Sequence, residues 1–68
     1  MEGWVKVYTS YDIFSTEMLR QVLESNQIKV VCMNRKDSIY LFGEIELYVP
    51  QTNFTLAIEI IISLDLEI

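Results

Sequence analysis

The chain has 68 residues, 51% hydrophobic and 22% charged, and its 10 acidic against 5 basic residues give a formal net charge of −5. That apolar content excludes a disordered chain, and the acidic field argues against nucleic acid or an anionic membrane surface as partner. This length gives one domain, residues 1–68, and a domain so small buries only about 60% of its unfolded surface, so a partner is expected to add to its stability.

The hydrophobic period switches from two to about 3.6 and back, twice along the chain. Trp4 to Thr9 alternates, with Val5, Val7 and Thr9 expected to face the core and Trp4, Lys6 and Tyr8 to face outward. Ser10 to Asp12 ends this strand, and Asp12 is the natural N-cap of a helix over Ile13–Ser25, with Glu17 suited to the positive end of its dipole. Phe14, Met18, Leu19, Val22 and Leu23 form its expected apolar stripe, and Asn26 is the expected left-handed residue past its end.

Ile28 to Met33 alternates again, placing Ile28, Val30 and Cys32 inward and Lys29, Val31 and Met33 outward. The polar cluster Asn34 to Ser38 reads as a loop, Ile39 to Phe42 as a strand extension, and Gly43 as a bulge or kink. Tyr40 and Phe42 have no assigned side. In the third strand, Glu44 to Val49, the inward row is Ile45, Leu47 and Val49, the outward row is Glu44, Glu46 and Tyr48, and Pro50 closes it. Lys6 and Glu46 are expected side by side on the outer face.

Thr52 or Asn53 can cap a second helix over Phe54–Leu64, with a core stripe of Phe54, Ala57, Ile58, Ile61 and either Ile62 or Leu64. The β-branched run Ile60 to Ile62 also has strand preference, so packing has to decide. The tail Asp65–Ile68 alternates and is able to add a fourth strand at a sheet edge or to dock on another copy. The expected fold is therefore α+β and ferredoxin-like, β-α-β-β-α, with two helices on one face of an antiparallel sheet of three strands, or four with the tail.

Catalysis has little to work with. The chain has no histidine, one cysteine and two glycines, so no catalytic pair, phosphate loop or zinc spacing is present, and no catalytic residue, metal or cofactor is expected. Cys32 reads as a buried, inert thiol beside Val30, and Glu44 with Glu46 as a solvated edge rather than a cation site. A lone cysteine also suits a reducing cytoplasm. The N-terminus lacks a signal-peptide pattern, and no stretch reaches the roughly 18 apolar residues of a membrane span.

Two helices cover one sheet face and leave the other bare, with Trp4, Tyr8, Val31, Met33 and Tyr48 expected on it. Exposed aromatics on a sheet also serve base stacking in RNA-recognition domains, but the basic–aromatic strand motif is missing and the basic residues are scattered. These five residues are therefore the expected interface, for a homodimer or a protein partner.

The segments VYTSYDIFSTEMLRQVLESNQIKV and IELYVPQTNFTLAIEII resemble a family of small bacterial proteins described as prokaryotic signal transducing proteins. Tyr8-Thr9 at a strand end, Leu23-Glu24 in a helix, Ile28 after a turn, Tyr48-Val49-Pro50 and Ala57 carry the resemblance. It implies a ferredoxin-like βαββα core similar to PII regulators. Where the family has Gly before the Ile, this chain has Gln27, so the turn is expected to rely on Asn26 or another geometry. The reading is a non-enzymatic regulatory or interaction module that self-associates or binds a partner through the bare face. The alternative is a PII-like sensor holding a small-molecule effector between subunits.

Overall fold

The computed structural model describes residues 2–36 and 43–64. Its elements are β1 (Trp4–Ser10), α1 (Ile13–Ser25), β2 (Val31–Lys36), β3 (Gly43–Pro50), a 3-10 turn over Gln51–Asn53, and α2 (Phe54–Ser63). β3 lies between β1 and β2 and is antiparallel to both. This is an α+β arrangement in β-α-β-β-α order, consistent with a ferredoxin-like fold. Both helices pack on β1 and β3 and against each other, so they cover one face of the sheet, and among the described residues no helix lies on the other, the open face. Ile39–Phe42 and the tail Asp65–Ile68 lie outside the described residues.

The core joins Val7, Leu47 and Val49 of the sheet to Leu19 and Leu23 of α1, Ile28, and Ala57 and Ile61 of α2. Tyr8 belongs to it as well, and this corrects the expected outward position. Lys6 pairs with Tyr48 and Tyr8 with Leu47, so Val7 is an extra residue in β1. A bulge interrupts the strict alternation of a strand, and here it turns Val7 and Tyr8 toward the helices together. Tyr8 is 7% exposed. Beyond the bulge the parity of β1 is reversed, so Thr9, expected inward, pairs with the outward Glu46. Gly43 is an ordinary ladder residue opposite Lys36 rather than a bulge, and β2 continues through Asn34 to Lys36, which read as loop.

Asp12 caps α1 as expected: one carboxylate oxygen accepts from the Phe14 N–H at 3.0 Å and the other from the Ser15 hydroxyl at 2.6 Å. At the other end Ile28 N–H donates to the Leu23 carbonyl at 3.1 Å and Gln27 N–H to the Glu24 carbonyl at 2.9 Å, the paired bonds of a Schellman turn. The left-handed residue is Gln27, at φ 64°, and Asn26 remains at φ −95°. Leu23 and Ile28 pack into the core on either side of this turn.

α1 is rotated relative to its expected stripe. Thr16, Leu19 and Leu23 face the sheet, and Phe14 is 82% exposed. Thr16 tolerates burial because its hydroxyl donates to the Asp12 carbonyl at 2.9 Å, which removes the cost of an unpaired polar group. In α2 Ala57 and Ile61 are buried, and Ile58 and Ile60 pack partly against the core. Phe54, Ile62 and Leu64, expected in its stripe, are exposed.

Candidate interaction surface

The open face follows from the register. One row across the sheet is Lys6, Tyr48 and Val31, the next is Thr9, Glu46 and Met33, and Trp4 stands opposite Pro50 at one end. Of the five residues expected on this face, Trp4, Val31, Met33 and Tyr48 are there, and Thr9 takes the place of Tyr8. Trp4, Val31 and Tyr48 are each partly covered by their neighbours, so the apolar area available is smaller than whole side chains would give.

At the centre of the face is a carboxylate. Glu46 is only 4% exposed although none of the described helices lies over it, which corrects its reading as part of a solvated edge. The Lys6 ammonium is 3.2 Å from its Oε2, and the Tyr48 hydroxyl donates to its Oε1 at 3.1 Å. Lys6, which stands opposite Tyr48, reaches it diagonally from the neighbouring row, and Thr9 stands directly opposite Glu46 where an unbroken ladder would place Tyr8. The expected neighbourhood of Lys6 and Glu46 is thus realised as an ion pair with one partner solvated and the other enclosed. Such a pair adds little to stability by itself, but it fixes the side chains around it, since removing one partner leaves a charge poorly solvated.

A second charged group lies on α1, where the Arg20 guanidinium bonds Glu17 and, at 2.6 Å, Glu24. The hydrogen bond with Glu17 is the main cause that raises Arg20 above its usual range, and the bond with Arg20 lowers Glu17 below the ordinary carboxylate value. These groups are solvated and make one flank of the helix polar.

Among the described residues no group of three or more His, Cys, Asp or Glu could hold a metal ion, and no helix is long and apolar enough to cross a membrane. Cys32 is opposite Leu47, on the helix side of the sheet as expected, yet it is exposed. The helices pack over β1 and β3 and leave this edge-strand position uncovered, which corrects its reading as a buried thiol. Periodicity alone also did not reveal the exposed side chains Tyr11, Phe14, Met18, Leu56 and Ile62. They make the helix layer apolar on more than its core side.

The family model described as "Putative prokaryotic signal transducing protein" matches residues 4–65. The chain belongs to this family. The match runs from the first residue of β1 past the end of α2, and so includes the whole sheet and both helices. No curated protein and no solved structure matches the chain significantly.

Proposed function

We propose that this family member is a non-enzymatic, cytoplasmic module of a signalling system that docks a protein partner on its open sheet face. The observation that supports it is the enclosed Glu46–Lys6–Tyr48 group, with Val31 and Met33 beside it in the same rows and Trp4 at one end, on a face without a described helix. Aromatic side chains around a polar centre combine apolar contact with directional bonds, and Tyr and Trp are enriched among residues that dominate binding energy. Because the aromatics are already partly covered, the contact is a small one, in the range of transient signalling encounters below about 1,200 Å². A small-molecule effector held between subunits, as in PII-like regulators, is the competing reading.

Native mass spectrometry of the protein from fresh lysate separates the two. A bound second protein that is released by Tyr48→Lys supports docking on this face, because the substitution puts an unpaired cation into the contact. A small additional mass that survives Tyr48→Lys supports the effector reading instead.

A further inference from the structure

Charge is divided between the two layers of the domain. Of the 5 basic residues, Lys6, Lys29, Arg35 and Lys36 lie in the strands or just before β2, and only Arg20 lies on a helix. The helices carry Glu17, Glu24 and Glu59, and the cap of α1 adds Asp12. Arg20 does little to offset them toward a partner, because its guanidinium is held between Glu17 and Glu24. The helix layer is the acidic side of a chain whose formal net charge is −5.

A short apolar stripe opens in this acidic layer. Phe14 is 82% exposed, and Met18, four residues on and so its neighbour on the helix surface, is 49% exposed. At about 100° of turn per residue, Phe14 points away from the buried Thr16, Leu19 and Leu23, and Met18 lies about 40° to one side of it. Glu17 and Glu24 follow at about 60° and 80° to the other side, between the stripe and Arg20. On α2 the exposed outer strip is Thr55, Glu59 and Ser63, which adds charge of the same sign. Leu56 and Ile62 flank that strip on opposite sides, so α2 presents no continuous apolar row of its own.

We propose that the outer stripe of α1 docks a basic amphipathic segment of a partner protein, with the segment's apolar side chains on Phe14 and Met18 and its Lys or Arg side chains toward Glu17 and Glu24. The sign of the charge selects this occupant. An acidic segment, a nucleic acid or an anionic membrane surface would be repelled. A second copy related by a two-fold axis would bring the same carboxylates against these. Apolar anchors at i and i+4 are the spacing through which helical segments are held, and a methionine adapts its shape to what it meets. Two neighbouring side chains make an anchor point for a short segment, not a domain-sized contact. The stripe is across the domain from the open sheet face, so this docking does not rest on the function proposed above.

Fluorescence anisotropy with a labelled synthetic amphipathic helix of leucine and lysine tests this, beside a counterpart of leucine and glutamate. The leucine–lysine peptide is expected to bind, with an affinity that falls as salt is raised, and the leucine–glutamate peptide is expected not to bind. Phe14→Ser removes an exposed ring and keeps the native circular dichroism spectrum, and it is expected to raise the Kd about tenfold, as loss of an anchor does. Glu24→Gln is expected to raise it severalfold. Ile62→Ser, which removes an exposed apolar side chain from α2, leaves it unchanged. A leucine–lysine peptide that does not bind overturns the proposal. Equal binding of both peptides, or binding that Phe14→Ser does not weaken, also overturns it, since the surface would then be only apolar or only acidic. So does a dimer in sedimentation velocity, or binding to phosphatidylcholine vesicles, that Phe14→Ser abolishes, which would give the stripe to a second copy or to a lipid surface.

Discussion

Tyr8 stands opposite Leu47 in the sheet, two residues after Lys6 stands opposite Tyr48. One partner position is thus matched by two residues of β1, and the extra residue, Val7, moves an aromatic ring from the solvent side of the domain to its core. The open face loses an aromatic and the core gains one. The same shift puts Thr9 opposite Glu46 in place of Tyr8, so a single bulge shapes both sides of the sheet.

Two tyrosines on the same sheet should therefore respond oppositely to the same change. Tyr8→Ala is expected to destabilise by about 3–5 kcal/mol, the cost of removing a buried aromatic, and Tyr8→Lys to unfold the chain. Tyr48→Lys is expected to leave the circular dichroism spectrum and cooperative unfolding intact, since that side chain is partly exposed on the open face. Urea denaturation of the variants checks this, and equal losses for Tyr8→Ala and Tyr48→Ala would contradict the bulge.

The turn after α1 gives a second prediction. A residue with a side chain pays roughly 1–2 kcal/mol for the left-handed conformation that Gln27 adopts, and glycine escapes this cost while losing more chain entropy on folding. The net effect of Gln27→Gly is expected to be a gain of about 0.5–1 kcal/mol, seen as a higher urea midpoint with an unchanged slope. Gln27→Val should lower the midpoint, because a β-branched side chain fits a positive φ worst. A lower midpoint for the glycine variant would mean that the Schellman turn is not under strain.

Element order and most faces were legible from the residues, because periodicity and caps are local. Asp12 as N-cap, the rows Ile45-Leu47-Val49 and Glu44-Glu46-Tyr48, and the meeting of Lys6 with Glu46 all appear as expected. What periodicity cannot give is the place where a strand is out of step. Nothing local in VKVYT marks Val7 as a bulge, and every side expected beyond it was consequently reversed. The rotation of α1 was hidden for a similar reason: a pattern reading treats Thr16 as polar, whereas its bond to the Asp12 carbonyl lets it face the sheet. Cys32 had the correct face and the wrong exposure, because alternation assigns sides and says nothing of how far the helices extend over them.

Acid should act on the cap of α1. The Ser15 hydroxyl first, then the Phe14 N–H, lower the Asp12 carboxyl from its ordinary value of 3.8. A depressed folded value means that the contribution to stability is fully present above the unfolded value and is lost as pH falls through the folded one. Asp12→Asn keeps a capping oxygen without the titration, so its thermal midpoint is expected to fall less than that of the wild type as the pH is lowered below 3.8. Parallel midpoint curves for the two proteins would show that the charge of Asp12 does not contribute.

The last prediction concerns the only cysteine. Cys32 shares a side of the sheet with the buried Leu47, and on the central strand that position would be closed by the helices. On β2 it is open: β2 is an edge strand, the helices pack over β1 and β3, and the thiol is exposed. A disulfide reagent is expected to modify one thiol per chain under native conditions, at close to the rate for an unstructured peptide, without denaturant. Reaction only after unfolding would show that something covers β2 on the helix side. Because the thiol is exposed on the outer strand of the described sheet, oxidation of a concentrated sample should also link two copies through Cys32, a covalent dimer that Cys32→Ser abolishes.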